Sequence, residues 1–222
     1  MAPGVTKARL KVAVLISGRG SNLQALLDAC AEPGFPAEIV LVISNIAGAY
    51  GLERAKLAGV PSLVIDHKAY PTREAFDADM DKAIRAAGAE LICLAGFMRL
   101  LSQGFSEAWN GKMINVHPAL LPSFKGLHTH RKALEAGVKL HGCTVHFVTP
   151  ELDDGPIIVQ AAVPVLPADD EDSLAHRVLE QEHKAYPLAL KLVAEGRVTV
   201  EGRVVKVAGG DDPGVRLVNP AV

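Results

Sequence analysis

The sequence predicts an α/β protein with a Rossmann-like, twisted and mostly parallel sheet, helices on both faces and an antiparallel C-terminal part. Short apolar segments rich in Val and Ile alternate with helix-like segments over much of the chain. Strands buried on both faces are nearly all apolar, and their alternation with helices is typical of right-handed βαβ crossovers. Two later strand-like segments follow each other without room for a helix, which favours antiparallel pairing.

The elements of the predicted parallel part follow in chain order. Four short apolar segments are predicted strands: residues 11–16, 39–44, 62–65 and 91–94. The segments between them are predicted helices: residues 21–30, 49–58 and 72–87. The third helix carries Phe76, Met80 and Ala83 at helical spacing, with charged residues on its other faces. Residues 113–116 are the fifth predicted strand.

The pattern changes in the C-terminal part of the chain. Residues 143–148 and 157–163 are predicted strands joined by a turn-rich loop. Residues 172–195 are predicted to form a long helix. The acidic residues in its first turn interact favourably with the helix dipole. Three further expectations concern the ends: a hairpin at 198–205 turning at Glu201 and Gly202, an irregular tail at 208–222, and one domain over 1–222 with its core at about 10–197.

Composition restricts the classes of function. The chain has 222 residues, 49% of them hydrophobic, and a formal charge of -2, so it lacks a nucleic-acid or anionic-membrane signature. Cys30, Cys93 and Cys143 are widely spaced and odd in number, which argues against a disulfide framework or a zinc ribbon. The N-terminus lacks the apolar segment of a signal peptide, and no apolar run approaches the roughly 18 residues that span a bilayer. We therefore expect a cytoplasmic protein without a metal.

A glycine-containing loop at residues 17–22 follows the first predicted strand and precedes a helix. Glycine allows positive φ and close backbone approach, and a helix N-terminus favours a phosphate. Ser21 is a candidate N-cap, and Asn22 adds a polar side chain beside Gly20. The dinucleotide fingerprint lacks its third glycine, and the Walker pattern lacks Gly-Lys-Ser/Thr. A mononucleotide-sized phosphate cradle and a tight turn without a ligand remain as alternatives.

The most informative motif is Asn-Val-His-Pro at residues 115–118. Strand alternation places Asn115 and His117 on the same face, and Pro118 ends the strand because it removes a ladder donor. Asp153, in a turn-rich loop, can supply a carboxylate that orients the imidazole or a water. An imidazole, an amide and a carboxylate handle protons and stabilise an oxyanion, with no obvious nucleophile. The set suits direct transfer of an acyl group between two bound substrates.

Five motifs together resemble the phosphoribosylglycinamide formyltransferase family, the folate-dependent glycinamide ribonucleotide transformylases of purine synthesis. The similarity runs from about residue 12 to about residue 197. The motifs are LISGRGSNLQ at 15–24, LAGFMR at 94–99, NVHPALLP at 115–122, GLHTH at 126–130 and ELD at 151–153. The Asn-x-His-Pro and distal Asp elements are shared by folate formyltransferases as a class, and the glycine loop narrows the choice within it.

The resemblance implies a reaction and a set of site residues. It implies formyl transfer from 10-formyltetrahydrofolate to the amine of N1-(5-phospho-D-ribosyl)glycinamide, with no metal and with small-molecule partners only. The implied catalytic residues are Asn115, His117 and Asp153. The implied ribonucleotide-binding residues are Gly20, Ser21, Asn22 and Glu182. The implied folate-binding residues are Arg73, Met98, Arg99, Leu100, Leu101 and Asn115, with backbone groups near Leu152 and Asp153 meeting the pterin.

The chain departs from the family's usual residues at three positions. Ser is frequent in the family where Ala119 stands, Gly where Asp154 stands, and Lys or Arg near Ser123. None of these departures removes a member of the catalytic trio. Asp154 adds a charge beside Asp153, and we expect it to alter either the conformation of the loop or the pKa of the histidine.

Several residues have plainer interpretations. His146 alternates with Val145 and Phe147, so a packing or hydrogen-bonding role is the default. His128 and His130 invite a metal interpretation, but no cysteine or carboxylate completes a zinc-like spacing, and shaping the substrate region or capping a helix from Thr129 fits better. Arg99 stands among apolar residues, where it requires a carboxylate or a ligand such as the folate glutamate.

Three rival functions remain open at this point. A hydrolase of the same folate shares the trio but is expected to carry an extra N-terminal domain, for which a first strand near Lys11 leaves no room. A transformylase of initiator methionyl-tRNA is expected to carry a basic C-terminal domain. A non-catalytic nucleotide-binding module explains the glycine loop but not the trio. The sequence is compatible with a monomer or a homodimer.

Overall fold

The computed structural model describes residues 8–210 and residue 219. The strands of its main sheet are β1 (Leu10–Ile16), β2 (Ala37–Ser44), β3 (Ser62–Val64), β4 (Leu91–Leu94), β5 (Met113–His117), β6 (Leu140–Phe147) and β7 (Ile157–Pro164). The helices are α1 (Ser21–Ala31), α2 (Gly51–Leu57), α3 (Arg73–Ala86), α4 (Gln103–Ala108), α5 (Thr129–Glu135) and α6 (Glu171–Ala194), with a 3₁₀ turn at His67–Ala69. A separate hairpin consists of β8 (Val198–Glu201) and β9 (Val204–Val207).

The main sheet has seven strands in the order β3-β2-β1-β4-β5-β6-β7. Pairing is parallel from β3 through β5. It becomes antiparallel between β5 and β6 and between β6 and β7. The predicted fold class is therefore confirmed, including the change of pairing in the C-terminal part. The strand order reverses at β1, whose neighbours are β2 on one side and β4 on the other.

Alternation along the buried strands builds a core on each face of the sheet. In β1, Val12, Val14 and Ile16 belong to one apolar cluster, and Ala13 and Leu15 belong to the other. Successive side chains of a strand point to opposite faces, so β1 serves both cores. The first cluster takes helical members from α1, α2, α5 and α6, among them Leu23, Leu26, Ala55, Ala133, Leu174, Val178 and Tyr186. The second takes them from α3 and α4: Phe76, Met80, Ile84 and Phe105.

Some predicted boundaries are corrected by the structure. Ser21 is not an N-cap: Gly20 takes that position with φ 69° and without a side-chain cap, and Ser21 is the first helical residue. The hairpin turns at Gly202 and Arg203, one residue later than predicted, because β8 continues through Glu201. The predicted tail at 208–222 lies largely outside the described residues.

Helix α4 is absent from the sequence prediction. It has only six residues, of which Phe105 and Ser106 are buried, so it shows no helical periodicity. Its N-cap comes from Ser102, whose Oγ accepts a hydrogen bond from the Phe105 amide at 3.3 Å. The Ser102 amide donates to the buried Asp77 carboxylate at 2.6 Å. A contact between α3 and the segment after β4 therefore fixes where α4 begins.

Candidate active site

The loops that carry the candidate site residues leave the sheet at one edge. Strands β1, β4 and β5 are parallel neighbours, so their carboxyl ends lie side by side. The Ser17 amide donates to the Gly96 carbonyl at 3.1 Å, and the Met98 amide donates to Ser17 Oγ at 2.8 Å. The glycine loop after β1 is thereby joined to the loop after β4. In open α/β sheets, ligands bind at this edge, where the strand order reverses.

His117 is the last residue of β5 and is only 4% exposed. Its Nε2 lies 3.0 Å from the carbonyl oxygen of Phe124, and its Nδ1 lies 3.4 Å from Asp153 Oδ2. A carbonyl only accepts hydrogen bonds, so Nε2 carries a hydrogen. The contact between Nδ1 and the carboxylate is attractive when Nδ1 is protonated as well. The ring therefore donates a hydrogen bond from Nε2 to the Phe124 carbonyl, and its Nδ1 faces the Asp153 carboxylate.

The loop between β6 and β7 brings Asp153 to His117. Asp153 has φ 48°, in the left-handed region that Asp tolerates better than most residues. Its Oδ2 also accepts a hydrogen bond from the Gly126 amide at 2.8 Å. Gly155 ends the loop against β6, where a Cβ would lie 1.7 Å from the Phe147 carbonyl oxygen. Only glycine permits this approach, which fixes the loop close to the strand.

Asn115 faces His146, its partner across the β5–β6 ladder. His146 Nδ1 lies 2.8 Å from the Phe147 carbonyl and therefore donates to it, which leaves Nε2 as an acceptor 3.4 Å from Asn115 Nδ2. Burial lowers the pKa of His146, which keeps this ring neutral. One amide hydrogen of Asn115 is thus directed to His146, and the other is free for a ligand. His146 Nε2 also lies 4.0 Å from Asp153 Oδ1.

Thr144 and Gln160 hold the segment that follows Pro118. Thr144 Oγ1 donates to the Ala119 carbonyl at 2.7 Å and accepts from the Leu121 amide at 3.0 Å. Gln160 Nε2 donates to the Leu121 carbonyl at 2.9 Å. These bonds tie the segment to β6 and β7, and the segment in turn delivers the Phe124 carbonyl to His117.

A pair of histidines, His141 fully buried and His130 half-buried, lies near the trio. The rings of His130 and His141 meet edge to face with centroids 5.3 Å apart, and Phe124 packs on His141 with centroids at 5.8 Å. His141 is fully buried, and burial lowers its pKa to about 4. Burial also lowers the pKa of His130. The neutral form of both rings is therefore favoured near pH 7, and the two rings pack on each other.

At the other end of the candidate site, the glycine loop meets α6. Asn22 Nδ2 donates to Glu182 Oε2 at 2.6 Å, and both side chains are buried. Burial raises the pKa of Glu182, and the Asn22 hydrogen bond partly offsets that effect. At Gly20, a Cβ would lie 2.7 Å from the Gly51 Cα, so the loop packs directly on the start of α2. The predicted ribonucleotide residues from the loop and from α6 are thus brought together.

A cavity of about 350 Å³ opens beside the start of α1, lined by Ser21, Gln24, Ala25, Asp28, Arg54 and His183. Arg54 Nε donates to the Arg19 carbonyl at 2.9 Å, and Nη1 donates to Gln24 Oε1 at 3.0 Å. A guanidinium beside free helix amides suits a phosphate. Arg54 and His183 were missed from the sequence. The signal available for Arg54 was its place in α2, the helix that follows β2 and begins at the same sheet edge as the glycine loop.

The predicted folate residues lie in exposed segments. Met98 is 63% exposed and Leu100 is 58% exposed, which is unusual for large apolar side chains so close together. Leu127 and Leu152 are also exposed, and Leu152 lies beside Gly126. This apolar lining suits a planar ring system. Leu101 is half-buried and packs on the second core.

Arg99 and Arg73 are exposed cations near these segments. Arg99 forms no ion pair with any of the described residues, so the predicted carboxylate partner is not found among them. Arg73 begins α3, one turn before Asp77, which bonds the Ser102 amide. No hydrogen bond or ion pair joins Arg73 to residues 98–101 in the part of the chain that the structure describes. Helix α3, which carries Arg73, is joined to the segment after β4 by the hydrogen bond from the Ser102 amide to Asp77.

Two absences hold for the described residues. Between residues 8 and 210, no three His, Cys, Asp or Glu side chains are grouped so as to hold a metal ion. None of the helices in that range combines the length and apolar character needed to cross a membrane.

The structure places an imidazole, an amide and a carboxylate at the carboxyl edge of a Rossmann-like sheet. Comparison with known proteins identifies the class of protein that has this arrangement. A family model described as formyl transferase matches residues 10–190. This match covers well over half of the chain, and the chain belongs to the formyl transferase family.

Comparison with individual proteins identifies more specific relatives within this family. Phosphoribosylglycinamide formyltransferase of Escherichia coli is 48% identical over 189 residues, which is 85% of this chain and 89% of that protein. Glycinamide ribonucleotide transformylase 1 of Symbiobacterium toebii superposes with a TM-score of 0.89 at 50% identity, covering 94% of this chain and 97% of that one. The trifunctional purine biosynthetic protein adenosine-3 of Drosophila melanogaster is 54% identical over 202 residues, 90% of this chain. The chain spans only 15% of that protein's length.

Proposed function

We propose that this chain transfers the formyl group of 10-formyltetrahydrofolate to the amine of N1-(5-phospho-D-ribosyl)glycinamide, a step of purine synthesis. The observation that carries the proposal is the meeting of side chains from separate segments. Asp153 Oδ2 lies 3.4 Å from His117 Nδ1. Asn115 lies two residues before His117 in β5, so the two side chains point to the same face of the sheet. Relatives named for this activity, at 43% to 48% identity, support it.

The trio divides the chemistry of formyl transfer. The neutral amine attacks the formyl carbon, and a carbon–nitrogen bond forms while the carbonyl oxygen gains negative charge. Asn115 Nδ2 and the protonated His117 stabilise that oxyanion. Collapse breaks the bond between this carbon and N10 of the folate, which takes up a proton from His117 Nδ1 directly or through a water. Asp153 stabilises the imidazolium and accepts or relays the proton that the amine loses.

The two ends of the site suit the two substrates. The start of α1, with Gly20, Ser21 and Asn22, receives the phosphate of the ribonucleotide. Glu182 accepts hydrogen bonds from the ribose hydroxyls while Asn22 holds its other side. The exposed Met98 and Leu100 cover the folate ring. Leu101 and the Asn115 side chain complete the folate contacts, and Arg73 and Arg99 offer charges to the glutamate of the folate.

The remaining proposals concern the whole protein. We infer a cytoplasmic enzyme with small-molecule substrates, no nucleic-acid or membrane partner, no metal, and a monomeric or homodimeric state. We also infer one formyltransferase domain over 1–222, with the core at about 10–197. The composition, with a formal charge of -2, supports the absence of a nucleic-acid partner.

The test is an initial-rate assay that follows the deformylated folate. We expect folate product only when 10-formyltetrahydrofolate and the ribonucleotide are both present. Equal rates without the ribonucleotide would assign the chain to the folate hydrolases. Product formed only with initiator methionyl-tRNA would assign it to the other transformylases, and binding without product would leave a non-catalytic module.

A further inference from the structure

Asp154, the residue after the predicted catalytic aspartate, joins three separate segments. Its carboxylate contacts Lys125 Nζ, from the segment between β5 and α5. Its Oδ2 lies 2.7 Å from Arg203 Nη1, in the turn of the β8–β9 hairpin. Arg203 Nη2 also donates to the main-chain carbonyl of Asp154 at 3.0 Å. The guanidinium therefore holds the backbone and the side chain of the same loop residue.

We propose that Arg203 is a positioning residue: through Asp154 it holds the 149–156 loop so that Asp153 faces His117. The proposal rests on the proposed formyl transfer and adds to it a role for the hairpin. The family match ends at residue 190, so Arg203 reaches the candidate site from beyond the matched region.

The loop needs such an anchor. Asp153 is held at φ 48°, a conformation that persists only where the surroundings determine it. Glu151 and Leu152 are exposed, so apolar burial does little to order the tip. Polar contacts replace it, because Asp153 binds the Gly126 amide and Asp154 binds Lys125 and Arg203. Two adjacent carboxylates thus dock one loop on its neighbours.

The hairpin is a firm base for Arg203. The Ala208 amide donates to the Arg197 carbonyl at 2.8 Å, and Arg197 Nε donates back to the Ala208 carbonyl at 2.8 Å. Val198 and Val205 pack against the first core. The ends of the hairpin are thereby fixed to the body of the protein, and its turn projects the guanidinium onto the loop.

The anchor keeps its charge across the working pH range. Arg203, followed by Lys125, holds the pKa of the Asp154 carboxyl well below its usual range. The Arg203 side chain is 71% exposed, so salt screens its contribution. We therefore expect its effect to weaken at high ionic strength and to vary little between pH 6 and pH 9.

Lys206 offers a matched control on the same hairpin. It is 63% exposed and pairs with Glu201 at 2.6 Å, away from the loop. The experiment compares wild type, Arg203→Ala, Arg203→Lys and Lys206→Ala. Backbone amide exchange across residues 151–155 is measured without substrates, and kcat and both KM values are measured separately. Wild-type turnover tests the proposed function, while the exchange data test the anchor whatever the reaction is.

The expected result separates the variants. Arg203→Ala speeds exchange at 151–155 about fivefold and lowers kcat about 5- to 30-fold with the ribonucleotide KM unchanged, because small displacements of a catalytic group are costly. Arg203→Lys restores part of kcat, and Lys206→Ala matches wild type. Unchanged exchange in Arg203→Ala would overturn the proposal. Faster exchange with unchanged kcat, or an equal effect of Lys206→Ala, would overturn it too.

Discussion

At the scale of single residues, the candidate chemistry depends on which groups surround His117. The Phe124 carbonyl fixes a hydrogen on Nε2, and the Asp153 carboxylate lies 3.4 Å from Nδ1. The neighbouring His146 favours the neutral form, because burial lowers its pKa. Its Nδ1 donates a hydrogen bond to the Phe147 carbonyl.

Removing the negative charge beside His117 tests this arrangement. Asp153→Asn keeps the size of the side chain but loses the charge, so we expect kcat to fall about 10²- to 10³-fold, with a similar fall for Asn115→Ala. His117→Ala should cost as much activity and some stability as well, since the ring is buried. Steady-state kinetics measures these effects. Asp172→Asn, at an exposed position of α6, is the control, and near-wild-type kinetics in Asp153→Asn would remove Asp153 from the mechanism.

His141 gives a stability test that needs no substrate. Burial lowers its pKa to about 4 in the folded state, against about 6.5 for a free histidine. The folded state therefore prefers the neutral ring, and stability present above pH 6.5 is lost as the pH falls toward 4, by at most about 3 kcal/mol. We expect His141→Leu to reduce this loss in urea unfolding between pH 7 and pH 4. The exposed His176→Gln should leave the pH dependence unchanged, and an unchanged dependence in His141→Leu would contradict the assignment.

At the scale of elements, short loops after parallel strands carry the function, and two glycines set the shape of the first. Gly20 has φ 69° and packs on the Gly51 Cα, whereas a Cβ added at Gly18 would have no atom within 4 Å. The loop after β1 is thereby pressed onto the start of α2, which also carries Arg54. The proposed ribonucleotide-binding end of the candidate site includes this contact.

Alanine substitution at each of the two glycines should separate the effect of the close contact at Gly20 from the general effect of replacing a glycine. Gly20→Ala forces a left-handed residue and a Cβ contact of 2.7 Å with backbone, so we expect it to lower the free energy of unfolding by about 2–4 kcal/mol and to raise the ribonucleotide KM. Gly18→Ala should change stability by less than about 1 kcal/mol. Chemical denaturation compares them. Equal stabilities of the two variants would show that the close approach to Gly51 is unimportant.

The elements also show how far sequence reasoning reaches. The buried strands were predictable because their side chains are nearly all apolar. The Asn-Val-His-Pro motif with the resemblance led us to expect Asp153 near His117, and the structure places the two side chains 3.4 Å apart. Helix α4 was not, because six residues give no periodicity and its start depends on Asp77, 25 residues from Ser102. The link between Arg203 and Asp154 spans 49 residues and depends on how the hairpin docks. His146 looked like an ordinary strand residue until pairing placed it opposite Asn115.

At the scale of the whole molecule, the strand order creates the cleft. With β1, β4 and β5 side by side, the glycine loop, the apolar loop after β4 and His117 leave the sheet at one edge. The antiparallel β6 and β7 then return the Asp153 loop to the same edge. The topology thus brings the candidate site residues of separate segments to one edge, where the proposed function requires two substrates to meet.

The proposed function requires that the formyl group pass directly from the folate to the amine. The most direct measurement is a single turnover with 10-formyltetrahydrofolate carrying ¹³C in its formyl group, followed by NMR of the products. We predict that the label enters the ribonucleotide as a formamide in the same amount as tetrahydrofolate forms. Label released mainly as formate in the presence of the ribonucleotide would contradict direct transfer.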